Sequence, residues 1–315
     1  MMNYFQLGRS PLRISAIGFG CMSLGEREEG ARVIYRALDL GINFFDTADL
    51  YERGLNEERV GRILQGRRDE VVLATKVGNQ WRKSDGRPIQ KGAAGPTKRG
   101  ADGPVGWDWN PRGEYIIKAV EDSLRRLRTD RIDLYQLHGG TIGDPIDETI
   151  GAFERLQQQG KIREYGLSSI RPNVIREYVR RSRIASVMMQ YSLLDRRPEE
   201  QCLELLREAG IGVLVRGAVA RGLLVNKPAT AYLNYSMDET GRMAAAVKDL
   251  HGRNAAQTAI RYVLDHPAVT SVIVGIRTME QLEEAVGVVV ADPLTEKERR
   301  LLEGALPANR YEEHR

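Results

Sequence analysis

The chain has 315 residues, of which 42% are hydrophobic and 29% charged, a composition that suits globular domains and excludes an intrinsically disordered chain. It carries 47 Lys and Arg against 43 Asp and Glu, a formal net charge of +4, and two cysteines, too few for a disulfide framework or a cysteine-rich metal site, which fits the reducing cytoplasm. The sequence shows neither a signal-peptide pattern nor an apolar stretch of the ~18–20 residues that cross a bilayer, so no membrane span is expected.

Eight short apolar runs, rich in β-branched residues, have the character of strands that are covered on both faces. In chain order these predicted strands are 17–19, 42–45, 71–75, 132–137, 163–167, 186–189, 211–215 and 271–274. Amphipathic helices are predicted between and after them, at 28–40, 56–64, 115–127, 147–158, 172–179, 198–209, 254–264 and 279–286.

The alternation of strands and helices predicts a parallel sheet, which either stays open and doubly wound or closes into a barrel. Eight units in 315 residues favour the barrel, so the predicted fold class is α/β, a (β/α)8 TIM barrel, with residues 1–315 as one domain. Residues 4–15 are predicted to form an N-terminal hairpin that caps the barrel bottom. Residues 295–305 are a predicted C-terminal helix, and the tail to residue 315 is expected to be loose.

Residues 80–110 are predicted to form a long basic loop after the third strand, because they are rich in Gly, Lys, Arg and Asp and lack an apolar period. Between Arg82 and Arg112 seven basic residues face three acidic ones, an excess that equals the net charge of the whole chain. The remaining chain is therefore balanced, and nucleic acid is not an expected partner. We interpret the loop as a basic lid over the barrel that attracts an anionic cofactor or substrate.

In such a barrel, chemistry is expected where the strands end. Three strand ends carry Asp46, Lys76 and His138, and a lysine directly behind a buried run is unusual. Lys76 is either a Schiff-base nucleophile or half of an ion pair with Asp46, and His138 taken alone is either structural or catalytic. A tyrosine near a lysine, here Tyr51, indicates a phenol whose pKa is lowered by the cation, a general acid usable near neutral pH.

Other well-known catalytic motifs are missing from the sequence. There is no Walker A motif, no convincing G-x-G-x-x-G after a strand and no G-x-S-x-G, which argues against P-loop and Rossmann nucleotide sites. Four scattered histidines form no H-x-x-x-H pair, so no metal site is expected.

Eight motifs together resemble the aldo-keto reductases, and they follow the family's order over nearly the whole chain. They are GFGCMSLG (18–25), GINFFDTADLYERGLNEERVGRIL (41–64), VVLATKVG (71–78), RRLRTDRIDLYQLH (125–138), GKIREYGLSS (160–169), MQYSLL (189–194), VARGLL (219–224) and VGIRTMEQLEEA (274–285). The resemblance implies a cytoplasmic, NADP-dependent oxidoreductase acting on CH–OH groups. Such an enzyme reduces small aldehydes or ketones to alcohols with NADPH, on a barrel without a Rossmann domain.

The resemblance places a catalytic tetrad on Asp46, Tyr51, Lys76 and His138. Tyr51 is then the general acid that protonates the carbonyl oxygen, and Lys76, paired with Asp46, lowers the pKa of Tyr51. His138 orients the carbonyl and assists proton delivery, while protein groups stabilise the developing alkoxide.

The resemblance also assigns residues near the strand ends to the nicotinamide and pyrophosphate of NADPH. Ser168 and Gln190 contact the carboxamide, and Tyr191 stacks on the nicotinamide ring. The residues that line the pyrophosphate are Arg216, Gly217, Val219, Arg221 and Lys227. The residues that complete the predicted cofactor set are Met22, Asp46 and Ser169.

At the adenosine end, the resemblance places Gly275, Arg277 and Gln281 on the 2′-phosphate and Glu284 near the adenine. A guanidinium pairs well with a phosphate, so Arg277 favours NADPH over NADH. The chain also departs from the family's pattern: many relatives have an aromatic residue where it has Arg216. This substitution adds a cation close to the expected pyrophosphate path.

Two further features concern the wall of the substrate pocket. Gly139 and Gly140 follow the predicted catalytic histidine where relatives often carry a bulky residue, which predicts an open wall. Trp107 and Trp109, at the end of the basic loop, either supply aromatic surface for that wall or anchor the loop on the barrel rim.

Two other functions stay open at this point. One is a catalytically slow NADPH-binding subunit that acts as a redox sensor or like a channel β-subunit. The other is a Schiff-base aldolase, which needs an unpaired Lys76 and is disfavoured by Asp46 at the neighbouring strand end. A small carbonyl compound is the expected partner in the favoured case, and no particular oligomeric state is implied.

Overall fold

The computed structural model describes residues 1–25, 27–81, 98–100 and 103–315, and for residues 27, 98–100 and 103–105 it describes the backbone alone. The predicted lid residues Lys83, Arg87 and Lys91 lie outside the described residues, so the lid stays a prediction. Within the described ranges, no helix is both long and apolar enough to cross a bilayer.

The strands include the eight that the sequence predicts. In chain order they are β1 (Tyr4–Gln6), β2 (Arg13–Ser15), β3 (Ile17–Gly20), β4 (Phe44–Asp46), β5 (Val72–Val77), β6 (Asn79–Trp81), β7 (Lys98–Gly100), β8 (Gly103–Val105), β9 (Trp107–Trp109), β10 (Ile132–Leu137), β11 (Ile162–Ser168), β12 (Ser186–Gln190), β13 (Gly212–Arg216) and β14 (Val269–Gly275). Strands β3, β4, β5 and β10 to β14 pair in parallel and close into a barrel, because β14 pairs with β3. The predicted (β/α)8 barrel is confirmed.

The helices lie between and after the barrel strands. They are α1 (Arg27–Asp39), α2 (Leu55–Leu64), α3 (Gly113–Leu127), α4 (Ile146–Gln158), α5 (Pro172–Arg181), α6 (Cys202–Glu208), α7 (Met237–Lys248), α8 (Ala255–Leu264), α9 (Met279–Val290) and α10 (Glu296–Ala305). Helix α7 was not predicted, whereas the predicted C-terminal helix is α10. The predicted N-terminal hairpin is β1 and β2, which pair antiparallel.

The hairpin closes the amino-terminal end of the barrel, the predicted bottom. One buried cluster joins hairpin and strand side chains: Leu7, Leu12, Ile14, Phe44, Val72, Ala74, Leu134, Ala185, Met188, Leu214 and Ile273. Gly8, at a φ of 57°, lies so close to the start of β13 that an added Cβ would stand 2.8 Å from the Gly212 nitrogen.

Successive strand side chains alternate between faces, so the residue two positions beyond each inner residue also faces the barrel axis. The inner rows therefore continue into the mouth, which we define as the carboxyl ends of the barrel strands.

The base of the long loop is regular rather than irregular. Strands β6 and β9 pair antiparallel, with Asn79 opposite Trp109. An ideal Cβ on Gly78 would stand 2.6 Å from the Trp109 ring, and one on Gly139 would stand 3.2 Å from it, so the ring packs directly against two glycines. Its Nε1 donates a hydrogen bond to Asp144 at 3.0 Å. Trp109 therefore anchors the ribbon on the rim, and its ring also covers Gly139 with aromatic surface, so the two roles considered for it do not exclude each other.

The expectation of a loose C-terminal tail is wrong. The Asn309 side chain accepts a hydrogen bond from the Arg196 backbone nitrogen at 2.8 Å, and the Pro307 carbonyl accepts one from the Tyr235 hydroxyl at 2.7 Å. The Tyr311 backbone nitrogen donates to Glu200 at 3.0 Å, and the Tyr311 side chain is buried. The tail is fixed because its polar groups pair with the segment that follows β12 and with Tyr235 before α7, long-range contacts without a local sequence signal.

Glu57 on α2 is a fully buried acid whose charge is compensated by one arginine. Its carboxylate accepts hydrogen bonds from Arg126 Nε at 2.7 Å and from the Thr75 hydroxyl at 2.6 Å, beside the strand that carries Lys76. Removing one partner of a buried pair leaves an uncompensated charge, which typically costs about 3–5 kcal/mol. We expect Arg126→Met to lower the free energy of unfolding by an amount of this order, measured by urea denaturation.

The neighbouring Arg125 provides the matched control. It lies on the same helix and pairs with Asp122, but its side chain is 73% exposed. Exposed ion pairs contribute little, so Arg125→Met is expected to leave the urea midpoint nearly unchanged. Equal losses in the two variants would contradict a special role for the buried pair.

Candidate active site

The four residues of the predicted tetrad lie together at the mouth. Lys76 Nζ donates to Asp46 Oδ2 at 2.6 Å, to the Thr47 carbonyl at 2.8 Å and to the Tyr51 hydroxyl at 3.5 Å. These three acceptors use all three N–H donors of an ammonium group. The Lys76 and Asp46 side chains are almost completely buried, so the ion pair interacts strongly, little screened by water.

The charges around Lys76 keep it cationic. Burial alone lowers the pKa of Lys76, but Asp46 and Tyr51 outweigh burial, and the net pKa lies above the ordinary value of lysine. Burial also raises the pKa of Asp46, and the ammonium of Lys76 offsets part of that rise. Of the two roles considered for Lys76, the geometry is that of an ion pair.

Tyr51 is a protonated phenol near neutral pH. Burial raises the pKa of Tyr51, while the positive charges of Lys76 and Arg216 act in the opposite direction without cancelling the rise. The expected lowering by Lys76 is thus present as a contribution but does not set the net direction. Tyr51 accordingly holds a proton to donate, and Lys76 makes that proton easier to release than burial alone would allow.

His138 faces Tyr51 from the end of β10. The two ring centroids are 6.1 Å apart and the planes cross at 85°. Burial lowers the pKa of His138 well below its usual range, and the charges of Lys76 and Arg216 act in the same direction. Its Nδ1 is buried and has no hydrogen-bond partner among the described residues. A neutral imidazole at this position offers one N–H donor to a bound oxygen atom.

The turn after Tyr51 has a strained backbone. Glu52 and Arg53 have φ values of 50° and 56°, in the left-handed region that non-glycine residues rarely occupy. The Glu52 carboxylate pairs with Arg59, and the Arg53 guanidinium lies 5.3 Å from the Trp81 ring centroid, on the ribbon at the mouth. Such strain persists only where the surroundings hold it, and it concentrates at functional sites.

Gln136 is a site residue that the sequence analysis missed. Its Nε2 lies 3.4 Å from Asp46 Oδ1, so the amide donates to the oxygen that Lys76 leaves free. The signal was available: Gln136 precedes His138 by two positions and therefore faces the same side of β10. A polar residue there, inside the otherwise apolar IDLYQL run, indicates a partner in the barrel interior.

The predicted cofactor residues on the last strands continue the inner rows. Gln190 follows Met188 and Arg216 follows Leu214 by two positions, and Arg216 NH1 donates to Gln190 Oε1 at 2.9 Å. Ser168 ends β11 and is 8% exposed. The Ser169 hydroxyl, by contrast, accepts a hydrogen bond from the Arg171 backbone at 3.2 Å, so it is engaged in its own turn.

The prediction that Tyr191 stacks on a nicotinamide ring is wrong. The residue follows Gln190 directly and so faces the opposite side, outside the barrel. Tyr191 has no exposed surface, its hydroxyl donates to Glu199 at 2.9 Å, and its ring packs 6.1 Å from that of Tyr262 on α8. The inner position at the neighbouring strand end belongs to Arg216, so a cation stands at the mouth instead.

The loop after β13 has an unusual backbone and free cations. Gly217, Ala220 and Arg221 have φ values of 75°, 47° and 59°, which folds the segment that includes Val219 into tight turns. The Lys227 methylenes pack against Gly222. Four cations around this part of the mouth have no carboxylate partner in the described part of the chain: Arg216, Arg221, Lys227 and Arg277. Unpaired cations grouped in this way suit a ligand with several phosphates.

The residues after β14 form a second polar group. The Arg277 backbone nitrogen donates to Gln281 Oε1 at 2.9 Å, and Gln281 lies in the first turn of α9. Gly275 is exposed, with nothing within 4 Å of an ideal Cβ, so a ligand has open access there. Glu284 is half-buried, and burial raises its pKa. Met22, after β3, is 60% exposed at the same end of the barrel.

Among the described residues, no group of three or more His, Cys, Asp or Glu side chains is arranged to hold a metal ion. The donors at the mouth are instead amide, hydroxyl and guanidinium groups, with Ser168 and Gln190 at one end and Arg277 at the other. This donor set fits an extended dinucleotide: an uncharged ring amide at one end and phosphates along the cations. The residues present therefore fit a nicotinamide cofactor.

Comparison with known proteins shows the same family that the sequence motifs resemble. A family model described as "Aldo/keto reductase family" matches residues 16–306. The chain is 48% identical over 321 residues to "Uncharacterized oxidoreductase YqkF" from Bacillus subtilis (strain 168), with 98% of each chain covered. It is similar to the solved structure of aldo-keto reductase AKR11C1 from Bacillus halodurans (holo form), with 49% identity, a TM-score of 0.89, and coverage of 100% of this chain and 99% of that chain. It is 34% identical over 222 residues to the Schizosaccharomyces pombe (strain 972 / ATCC 24843) aldo-keto reductase yakc, whose name specifies NADP(+), covering 67% of this chain and 60% of that protein.

Proposed function

Because the chain belongs to the aldo-keto reductase family of oxidoreductases, we propose that it is an NADPH-dependent reductase of aldehydes or ketones. The observation that carries the proposal is the Lys76 ammonium, held by Asp46 at 2.6 Å and lying 3.5 Å from the Tyr51 oxygen. A phenol next to a fixed buried cation is suited to lose its proton to a substrate oxygen. The protein is proposed to act through a single domain, residues 1–315, on a small carbonyl substrate.

In this mechanism, the residues of the mouth hold the substrate and move one proton. NADPH, when bound, supplies the hydride that reduces the carbonyl carbon. Tyr51 donates its phenolic proton to the carbonyl oxygen, and Lys76 stabilises the phenolate that remains. The neutral His138 donates a hydrogen bond to the same oxygen and orients it, so the developing negative charge is met by fixed donors.

The cofactor would be held along the mouth by the chain's own donors. Ser168 and Gln190 are proposed to bind the carboxamide, and Arg216 stands beside Gln190 in place of an aromatic residue. The pyrophosphate is proposed to lie along the loop that bears Arg221 and Lys227. Arg277 and its partner Gln281 are proposed to bind the 2′-phosphate.

A Schiff-base aldolase requires an uncharged Lys76 with a free lone pair. Here Lys76 is an ammonium whose three N–H groups donate to Asp46, Thr47 and Tyr51. The nucleophile would have to break the buried ion pair before it could attack a carbonyl. The geometry therefore disfavours the aldolase. Borohydride trapping of a substrate on Lys76 would support the aldolase instead.

Arg277 is proposed to cause a preference for NADPH over NADH. Charged hydrogen bonds contribute about 1.5–3 kcal/mol, so Arg277→Ala is expected to weaken NADPH binding by roughly 10- to 100-fold. NADH lacks the 2′-phosphate, so its dissociation constant is expected to change little; both are measured by quenching of tryptophan fluorescence. Arg242→Ala on α7, another exposed arginine that forms no close ion pair in the described part of the chain, is the control. Equal weakening of both cofactors would remove the 2′-phosphate role of Arg277.

A further inference from the structure

The Gln190 side chain at the mouth has three polar partners. Its Nε2 donates to Asp195 Oδ2 at 2.9 Å and to the Tyr232 hydroxyl at 2.8 Å, while its Oε1 accepts from Arg216 at 2.9 Å. Asp195 is 1% exposed and forms a bidentate salt bridge with Arg197, with Nε–Oδ1 and NH2–Oδ2 distances of 2.7 and 2.8 Å. Both the nitrogen and the oxygen of the Gln190 amide are therefore held by hydrogen bonds.

These partners permit only one orientation of the Gln190 amide. Both Asp195 oxygens accept from the Arg197 guanidinium, so this carboxylate serves as an acceptor, and Arg216 can only donate hydrogen bonds. If the amide turned over, its oxygen would face the carboxylate and its NH2 would face the guanidinium, which are two repulsive contacts. The network thus settles which end of the amide is the acceptor, a choice that amide side chains otherwise leave to their surroundings.

We propose that Asp195 is a positioning residue of the cofactor site: it fixes the Gln190 amide so that Oε1 is presented to the mouth as an acceptor for the carboxamide N–H of the nicotinamide. This inference rests on the proposed NADPH-dependent function. The Oε1 atom accepts from Arg216 and keeps a second lone pair for the ligand. Asp195 is 1% exposed and accepts a hydrogen bond from Gln190, so its proposed action on the ligand is through Gln190 and not by direct contact.

The docked tail supports both groups that hold the Gln190 nitrogen. The Arg197 guanidinium, which anchors Asp195, lies 5.3 Å from the centroid of the buried Tyr311 ring. Tyr232 exchanges two backbone hydrogen bonds with Tyr235, each 3.0 Å long, and the Tyr235 hydroxyl donates to the tail at Pro307. The tail therefore keeps the two acceptors in place from behind, although it lies outside the mouth.

The test compares two ligands on the full-length protein. Asp195→Asn nearly keeps the shape of the side chain but supplies an NH2 group and removes the charge, so one of the two contacts that fix the orientation of the Gln190 amide is lost, and Arg216 alone remains. We expect the dissociation constant of NADPH to rise by roughly 5- to 10-fold, the loss of about one hydrogen bond. Adenosine 2′,5′-bisphosphate, which lacks the nicotinamide, is expected to bind with an unchanged dissociation constant.

The control is Glu204→Gln, which breaks an exposed ion pair with Arg207 on α6 and is expected to change neither constant. A purely structural role for Asp195 would weaken both ligands together, and an unchanged NADPH constant would equally overturn the proposal. If Asp195→Asn fails to fold by circular dichroism, Tyr232→Phe replaces it. That variant removes one acceptor of the Gln190 nitrogen, and a roughly 2- to 3-fold weaker binding of NADPH alone is expected; binding as tight as wild type would overturn the inference.

The proposed function and the inference fail in different ways. A wild-type protein that does not bind NADPH contradicts the proposed function, and the role of Asp195 falls with it. A wild-type protein that binds and oxidises NADPH, together with an Asp195→Asn variant that binds it equally well, contradicts the positioning role alone.

Discussion

Tyr51→Phe is expected to lower kcat for aldehyde reduction by about 10²- to 10⁴-fold, the usual contribution of a general acid. The substitution removes only the hydroxyl oxygen, so the ring keeps its packing against His138 and its place over Lys76. NADPH is expected to bind as before, because no predicted cofactor contact is made by this hydroxyl. The measurements are NADPH oxidation with a panel of aldehydes and ketones, and NADPH binding by fluorescence.

Tyr35→Phe is the control for this substitution. Tyr35 lies on α1, is 42% exposed, and donates its hydroxyl to the Ile63 carbonyl, away from the mouth. Full turnover by Tyr51→Phe would refute the proposed mechanism. If instead the wild type binds NADPH but oxidises it with none of the carbonyl compounds, a slow sensing or channel-β-like subunit becomes the better description.

Hydrophobic patterning was sufficient to predict the barrel. Each of the eight predicted strands overlaps an observed barrel strand, since buried parallel strands are short apolar runs that local sequence reveals. Helix α7 was missed although Ser236 and Glu239 form a capping box at its start, a signal that can be read without a structure. Both failures at the periphery, α7 and the tail, concern segments that dock on other parts of the chain rather than on the barrel interior.

The site was predictable where motif and strand period agree and not where they conflict. Asp46, Lys76 and His138 are inner residues at strand ends, so the period of two would have placed them at the mouth even without the family resemblance. The same period argues against the predicted pair of Gln190 and Tyr191, because neighbouring residues of a strand face opposite sides. For Tyr191 the prediction followed the resemblance and not the strand period, but the structure buries this residue outside the barrel, as the period requires.

The polar groups that support the site were not predictable from local pattern. Asp195 reaches Gln190 only because the chain turns back after β12, and its partner Arg197 depends on a tail residue more than 100 positions later in the chain. Arg53 and Trp81 likewise meet only because the strands that precede them, β4 and β5, are neighbours in the barrel. Such contacts join segments that are distant in sequence, so they follow from the tertiary fold rather than from any single motif.

Lys76→Met is expected to lower kcat for reduction by about 10²-fold or more, because the positive charge beside the Tyr51 phenol disappears while burial remains. Burial raises the pKa of Tyr51 and Lys76 opposes that rise, so the variant's Tyr51 has a still higher pKa and releases its proton less readily. The substitution also leaves Asp46 buried without its cation, which favours the neutral carboxyl.

Alcohol oxidation with NADP(+) gives the sharper measurement for Lys76, since the reverse reaction needs Tyr51 without its proton. A higher pKa delays the appearance of the phenolate, so the pH at which oxidation reaches half its maximum is expected to move upward in Lys76→Met. Lys118→Met, an exposed lysine on α3, is expected to leave that midpoint unchanged. A midpoint that stays in place while kcat falls would mean that Lys76 holds the site together without acting on the proton of Tyr51. In that case the ion pair with Asp46 would be a structural element, and the acidity of Tyr51 would have to come from Arg216, the other cation that opposes its raised pKa.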